Sequence, residues 1–364
     1  MLGIGATGAF ANPTMIFDLN SGRVLQHEDA FKRWYPASLT KLMTAYVAFR
    51  AVQDGELQMN SPIRVTKHSA GEPPSKMGYK QGSVMTLDNA LKMIIIKSAN
   101  DIAMAIGENV GGSEKAFAAR MNKEAQRLGM TGSHFVNPNG LHNPQQYTTA
   151  RDLALLVRAI RTDFPQYASY FSIEGLAAGQ TAIPNYNLLV GRYPGADGMK
   201  TGFVCASGFN MIGTATREGR TLVAIVLGEK SVQARAEVAA GLLTEGFAMS
   251  SAQPVTVSSL PFYGEPAAGA TDMREEVCST KKPAAEQSEG PSAEASARSE
   301  SPYMMKLANP KLVTVGLGGA EGPVPLARRG HDGQEVADVP VPTWRPDMPP
   351  PVIAAQGDSS AGAN

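Results

Sequence analysis

The chain has 364 residues, enough for one large domain or two ordinary ones. Lys and Arg balance Asp and Glu at 33 each, so no overall charge is available to attract nucleic acid or an acidic membrane surface. No run of about 18 apolar residues occurs, and we therefore expect no membrane-spanning helix.

Residues 1–11 are rich in glycine and alanine and end in Ala9-Phe10-Ala11, a pattern typical of a signal-peptide cleavage site. The positively charged start of a signal peptide is missing from this stretch. We interpret residues 1–11 as the remnant of a secretory signal, with an ordinary disordered terminus as the alternative.

The elements that follow predict an α+β fold. Residues 15–18 and 23–26 form a predicted hairpin, and a buried helix then runs to about Gly55. Apolar spacing predicts further helices at 87–97, 101–109, 114–128 and from Thr149 onward. Strands are predicted at 200–204, 209–216 and 222–227, before a closing helix at 232–247. Together these give a five-stranded antiparallel sheet with flanking helices and a helical subdomain beside it.

The composition changes after about residue 263, where 13 of the 25 prolines but only 2 of the 24 aromatic residues are found. We therefore expect residues 12–262 to form the folded domain and 263–364 to be a mostly disordered tail. Beyond its first portion, from about Thr280 onward, we expect the tail to be dispensable for chemistry on a small peptide substrate. Pro349-Pro350-Pro351 and the small residues after it form no apolar helical face, so no membrane anchor is evident.

A serine and a lysine lie three residues apart at the start of the first buried helix. Pro36 favours a first helical turn, which places Ser38 and Lys41 on one face. A serine hydroxyl is a poor nucleophile until a base takes its proton, and desolvation lowers the pKa of a buried lysine toward neutrality. The pair is therefore a candidate nucleophile and general base.

Two later stretches strengthen this interpretation. Ser98-Ala99-Asn100 lies at a junction between two predicted helices, and Lys200-Thr201-Gly202 begins the predicted strands. The combination Ser-x-x-Lys, Ser-x-Asn and Lys-Thr-Gly, in this order, is typical of class A β-lactamases and penicillin-binding proteins.

The chain resembles the D-alanyl-D-alanine carboxypeptidases, which are low-molecular-mass penicillin-binding proteins of the serine peptidase type. The resemblance covers roughly residues 12–250 and extends to further stretches: Phe135–Leu141, 147–152 and 207–210. It implies a β-lactamase/transpeptidase-like fold, a periplasmic location, and a hydrolase that acts in peptidoglycan synthesis, cell-wall biogenesis and cell shape. It also implies a peptide substrate ending in D-Ala-D-Ala, acylation by β-lactam antibiotics, and no cofactor or metal.

The resemblance assigns roles to the motif residues. Ser38 attacks the penultimate carbonyl, Lys41 accepts its proton, and Ser98 relays a proton to the leaving D-alanine by bridging Lys41 and Lys200. Asn100 orients the substrate.

Further roles concern the substrate carboxylate and the oxyanion. Lys200 and Thr201 of the Lys-Thr-Gly motif bind the terminal carboxylate. The backbone N–H groups of Ser38 and of Phe203, directly after Gly202, form the oxyanion hole. Arg235 matches a family arginine near the carboxylate, although a surface helix charge is an equally good interpretation.

Other functions remain open at this point. A class A β-lactamase shares the three motifs but needs a deacylating glutamate in a Glu-x-x-Leu-Asn loop, and no such string occurs between Ser98 and Lys200. A non-catalytic wall-binding module would have lost the nucleophile. Endopeptidase activity on cross-linked peptides is as compatible with the motifs as carboxypeptidase activity.

The two cysteines and two of the histidines complete the set of candidates. An exported protein meets an oxidising compartment, so Cys205 and Cys278 are predicted to form a disulfide that fixes the start of the tail near the cleft. His134 and His142 are not at metal-ligand spacing, and we interpret them as loop residues.

Overall fold

A computed structural model describes residues 12–249, 254–264, 269–278, 290 and 301–325. The predicted signal remnant at 1–11 lies outside these residues, as does much of the predicted tail.

The strands are β1 (Thr14–Asp18), β2 (Val24–Glu28), β3 (Pro62–Arg64), β4 (Val84–Thr86), β5 (Gly175–Ala178), β6 (Thr181–Pro184), β7 (Ala196–Val204), β8 (Gly208–Arg217), β9 (Arg220–Glu229) and β10 (Leu312–Val315). The helices are α1 (Thr40–Gln53), α2 (Lys67–Gly71), α3 (Leu87–Ile96), α4 (Asn100–Gly111), α5 (Glu114–Arg127), α6 (Ala150–Asp163), α7 (Val232–Ala248) and α8 (Arg274–Val277). Two 3-10 segments, Ala37–Leu39 and Pro165–Ser172, precede α1 and follow α6.

The predicted five-stranded antiparallel sheet is confirmed, with the order β2-β1-β9-β8-β7. Both of its faces are covered, as strand β9 illustrates. Leu222, Ala224 and Val226 face α7, whereas Val223 and Ile225 face the larger core around α1. Because side chains alternate along a strand, a strand buried on both faces has a continuous apolar sequence, as β9 has.

The helices between the strands form a second region beside the sheet. Helix α1 is buried along almost its whole length and contacts α3, α4, α5 and α6. Helix α3 begins after Thr86, whose hydroxyl accepts a hydrogen bond from the Asn89 amide as a side-chain cap. Thr149 caps α6 in the same way, since its hydroxyl accepts a hydrogen bond from the Asp152 amide. The Asp152 carboxylate accepts hydrogen bonds from the Gly132 amide and the Ser133 hydroxyl.

Residues 301–325, within the predicted tail, have a defined structure beside the folded domain. Strand β10 pairs in parallel with β5, whose hairpin with β6 the sequence analysis did not predict. Met304 and Val315 are buried. The tail gains this order because it adds to an existing edge and an existing core, and needs no core of its own.

Among the residues described, no helix combines the length and the apolar character that crossing a membrane requires.

Candidate active site

Ser38 lies in the 3-10 segment directly before α1, where the chain makes a tight turn. The preceding Ala37 has a left-handed backbone, with φ at +47°. Gly140 packs against this turn so closely that a Cβ on it would lie 1.9 Å from the Ala37 carbonyl oxygen. Gly140 itself has φ at +86°, so glycine is required there for two reasons. The Ser38 backbone is thus held between the helix and a loop.

Lys41 lies one turn further along, and its side chain is almost completely buried. Its Nζ donates to three oxygen atoms: Ser38 Oγ at 2.9 Å, Asn100 Oδ1 at 2.8 Å and the Asn139 carbonyl at 2.6 Å. Three acceptors satisfy an ammonium group completely. The two amide oxygens alone would satisfy a neutral amine and leave its lone pair facing Ser38.

The Ser-x-Asn stretch forms the second side of the site. Ser98 is fully buried and has φ at +62°, a left-handed backbone conformation between α3 and α4. Asn100 opens α4, and its Nδ2 donates to the Pro73 carbonyl at 3.0 Å. That bond orients the amide so that its oxygen points to Lys41.

Strand β7 forms the third side and carries the Lys-Thr-Gly motif. Lys200 Nζ donates to Ser98 Oγ at 2.9 Å and to the Thr201 carbonyl at 3.0 Å. Lys200 and Thr201 are each 1% exposed, so neither charge nor hydroxyl faces bulk water. Gly202 abuts the Ser38 backbone, since a Cβ there would lie 2.9 Å from the Ser38 amide nitrogen.

Arg235 is neither a surface charge nor a residue of the cleft wall. It is fully buried on α7, and its Nη1 donates to the carbonyls of Gly202 at 3.2 Å and Asn210 at 3.3 Å. Its guanidinium lies 5.6 Å from the centre of the Phe209 ring. Phe203 stacks on that ring with 4.2 Å between centroids. Arg235 therefore supports β7 from below.

A cleft of about 480 Å³ opens over Ser38. Its lining includes Asn100, Phe203, Lys97, Tyr186 and, from the predicted tail, Gly290. Lys41, Ser98, Lys200 and Thr201 lie behind this surface.

The two cysteines are joined at the rim of this cleft. Cys205, which lines it, forms a disulfide with Cys278, and their Cα atoms are 5.5 Å apart. The bridge fixes the beginning of the predicted tail beside β7.

The two histidines considered in the sequence lie in loops and make loop contacts. His134 Nδ1 hydrogen-bonds the Gln145 carbonyl at 2.7 Å, and the His142 ring packs edge-on against Tyr35. In the described part of the chain, no group of three or more His, Cys, Asp or Glu side chains is placed to hold a metal ion.

Sequence reasoning missed two residues behind Lys41. Asn139, in the loop 137–141, provides the carbonyl nearest to Lys41 Nζ. Its side-chain Nδ2 donates to Glu72 Oε2 at 3.0 Å. The string Asn137-Pro138-Asn139-Gly140 contains the available signal, because Pro and Gly fix a turn whose carbonyls are then held in place.

The sheet, the helical region and the Ser38–Lys41 pair between them define a serine acyl-transfer enzyme of the β-lactamase/transpeptidase fold. Comparison with known proteins agrees with this class. Residues 6–231 match the family model described as D-alanyl-D-alanine carboxypeptidase.

Two curated relatives illustrate the similarity in sequence. D-alanyl-D-alanine carboxypeptidase DacC of Escherichia coli is 34% identical over 251 residues, which are 67% of this chain and 63% of the relative. DacF of Bacillus subtilis is 28% identical over 253 residues, 67% of this chain and 64% of the relative. The chain thus spans less than two thirds of the length of either relative.

Solved structures share the fold. Penicillin binding protein 5 from Haemophilus influenzae superposes with a TM-score of 0.63 at 30% identity, over 68% of this chain and 73% of that one. An ampicillin-bound penicillin-binding protein from Listeria monocytogenes superposes with a TM-score of 0.60 at 28% identity, over 65% and 97% respectively. The chain belongs to the D-alanyl-D-alanine carboxypeptidase family of low-molecular-mass penicillin-binding proteins.

Proposed function

We propose that this protein is a serine-type D-Ala-D-Ala carboxypeptidase that removes the terminal D-alanine of peptidoglycan stem pentapeptides through an acyl-enzyme on Ser38. One observation carries the proposal. Lys41 Nζ lies 2.9 Å from Ser38 Oγ, and two fixed amide oxygens hold it there.

Acylation begins from neutral Lys41. The Asn100 and Asn139 oxygens accept its two N–H bonds, so the lone pair takes the Ser38 hydroxyl proton as Ser38 Oγ attacks the penultimate carbonyl. The N–H groups of Ser38 and Phe203 stabilise the oxyanion that develops. Gly202, which abuts the Ser38 backbone, lets β7 approach the serine closely enough for both N–H groups to reach one atom.

Departure of D-alanine requires a proton on its nitrogen. Lys41 passes the proton taken from Ser38 to Ser98, and Ser98, held by Lys200, gives its own hydroxyl proton to the leaving amine, so Lys41 returns to the neutral form. Lys200 and Thr201 bind the terminal carboxylate, with Arg235 supporting the strand that carries them. Asn100 orients the peptide. Water then attacks the ester, with Lys41 as the base, and frees Ser38.

β-Lactams are acylating agents for the same serine. A β-lactamase would also need a group that deacylates the adduct quickly. In the corresponding region the chain has the loop 137–141, whose Asn139 carbonyl holds Lys41 and offers no base for water. This loop therefore supports the carboxypeptidase proposal over the class A β-lactamase alternative, and we expect a long-lived penicillin acyl-enzyme.

We also propose that the protein is exported and works in the periplasm. A disulfide at the rim of the cleft persists in an oxidising compartment and is rare in a reducing cytosol. The partners would be peptidoglycan peptides and β-lactams.

The test is release of D-alanine from a pentapeptide ending in D-Ala-D-Ala, run with the full chain and with Ser38→Ala. We expect release by the first and none by the second, with a fluorescent penicillin labelling only the first. A cross-linked muropeptide dimer run in parallel separates carboxypeptidase from endopeptidase activity. Release of D-alanine by Ser38→Ala, or rapid turnover of the penicillin, contradicts the proposal.

A further inference from the structure

Glu72 lies directly behind the proposed base, separated from it by a single residue. Lys41 Nζ donates to the Asn139 carbonyl at 2.6 Å, and Asn139 Nδ2 donates to Glu72 Oε2 at 3.0 Å. Asn139 is 1% exposed and Glu72 is 7% exposed. Burying a carboxylate costs free energy unless hydrogen bonds or opposite charges compensate it. We therefore ask what Glu72 contributes to the site beside it.

The far side of Glu72 leads to the surface. His68 Nε2 lies 3.6 Å from Glu72 Oε1, and the His68 side chain is 54% exposed. The other ring nitrogen of His68 hydrogen-bonds Glu108 Oε1 at 3.0 Å, while Glu108 Oε2 accepts from Thr66 Oγ1. These contacts connect solvent to Lys41 through the side chains of His68 and Glu72 and through Asn139, whose side-chain amide bonds Glu72 and whose backbone carbonyl bonds Lys41.

Charges on three helices act on this chain of contacts. Burial raises the pKa of Glu72, as do Glu114 of α5 and Glu108 of α4, whereas His68 of α2 and the Asn139 hydrogen bond lower it. The pKa of His68 is raised overall: burial lowers it, but the hydrogen bond and charge of Glu108, with Glu114 and Glu72, outweigh burial. The pKa values of both groups are therefore raised above their ordinary values.

We propose that Glu72 is a positioning residue for Lys41, fixing the Asn139 carbonyl against Nζ, and that the exposed His68 sets how strongly the Glu72 charge acts on the base. This inference rests on the proposed acylation of Ser38. It adds that Glu72 and His68, which lie outside the three family motifs, set the pH at which Lys41 becomes a neutral base.

The direction in which each substitution shifts the pH profile of acylation follows from the charge that it removes. Negative Glu72 favours the ammonium form of Lys41, and only the neutral amine can accept the Ser38 proton. Removing the negative charge of Glu72 therefore lowers the pH at which the acylation rate increases. Removing the positive charge of His68 leaves the negative charge of Glu72 uncompensated and raises that pH.

The experiment follows acylation of the full-length protein by a fluorescent penicillin from pH 5 to pH 10. Glu72→Gln keeps an oxygen for Asn139 and removes the charge, so its profile should shift down by on the order of one pH unit with a plateau within about threefold of the parent. His68→Gln should shift the profile in the opposite direction. Glu72→Ala also loses the hydrogen bond and should acylate at least about tenfold more slowly. Glu218→Gln, on an exposed turn, is the matched control.

Opposite shifts in Glu72→Gln and His68→Gln support the inference, as does recovery of the plateau rate in Glu72→Gln relative to Glu72→Ala. A parental profile in both glutamine variants overturns it, even if Glu72→Ala fails to fold. A change in melting temperature with no shift in profile also overturns it, since it shows a structural role alone. Failure of the parent itself to acylate contradicts the proposed function instead.

Discussion

Gly202 and Ser38 approach each other across the cleft so closely that no side chain fits between them. A Cβ on Gly202 would lie 2.9 Å from the Ser38 amide nitrogen and 3.0 Å from both the Leu39 nitrogen and the Pro36 oxygen. These are backbone atoms at the start of a buried helix, and they cannot move aside as a flexible side chain would. The spacing between β7 and the nucleophile therefore depends on this glycine.

Gly202→Ala should consequently damage the oxyanion hole. We expect the rate of penicillin acylation to fall about 10²-fold, the range seen when one oxyanion donor is lost. Gly269→Ala is the control, because a Cβ on Gly269 meets nothing within 4 Å. Acylation of Gly202→Ala at the parental rate would contradict the proposed contact.

Lys41→Arg tests the base. Arginine stays protonated throughout the accessible pH range, so it cannot accept the Ser38 proton. We expect acylation to fall about 10³-fold, within the usual contribution of a positioned base, and to lose its rise with pH. Circular dichroism establishes that the variant is folded. Substantial acylation by Lys41→Arg would refute general-base catalysis by this residue.

Substitution of Arg235 distinguishes two roles for this residue, which are binding of the substrate and support of strand β7. Because Nη1 bonds the Gly202 and Asn210 carbonyls, we expect Arg235→Gln to lower kcat on a pentapeptide about tenfold and to lower penicillin acylation by a similar factor. Steady-state kinetics provides the measurement. A rise in KM with kcat unchanged would indicate direct contact with the carboxylate instead.

The Cys205–Cys278 disulfide should stabilise the folded state. The bridge closes a loop with a sequence separation of 73, worth about 4 kcal/mol in the chain-entropy model. Urea unfolding of the protein with and without reductant measures this difference. The double variant Cys205→Ser, Cys278→Ser should not respond to reductant. Equal unfolding free energies with and without reductant would show that the bridge contributes nothing.

A truncated protein that ends near Thr280 tests what the described part of the tail contributes to catalysis and to stability. It retains every residue proposed for chemistry but loses β10 and the buried side chains of Met304 and Val315. We expect kcat on a small peptide within about twofold of the parent, and a free energy of unfolding lower by about 3 kcal/mol. A chain ending at residue 325, which keeps these contacts, is the matched control. A large loss of kcat would show that the distal tail shapes the site.

The sequence predicted the central sheet and the buried helices because their signals are local. Apolar runs identify β8 and β9, and three short motifs identify Ser38, Lys41, Ser98 and Lys200. Each of these depends on spacing within a few residues.

The parts that were not predicted depend on contacts distant in sequence. Residues 175–178 are rich in alanine and glycine, which favour strands weakly, and their pairing with β10 involves residues more than a hundred positions away. Arg235 is equally compatible with a surface helix until the packing of α7 on β8 is known. Glu72 has no signal of its own, because its partner Asn139 acts through a side-chain amide that any loop may contain.

The addition of β10 to β5 has a consequence for the molecule in a crowded compartment. A short hairpin of small residues presents a free row of N–H and C=O groups along its outer strand, and such a row can recruit strands from other molecules. Strand β10 covers that row with four residues of the same chain. The exposed edge on this side of the small sheet is therefore β10 itself, a strand of only four residues, and so short an edge offers an incoming strand few backbone partners.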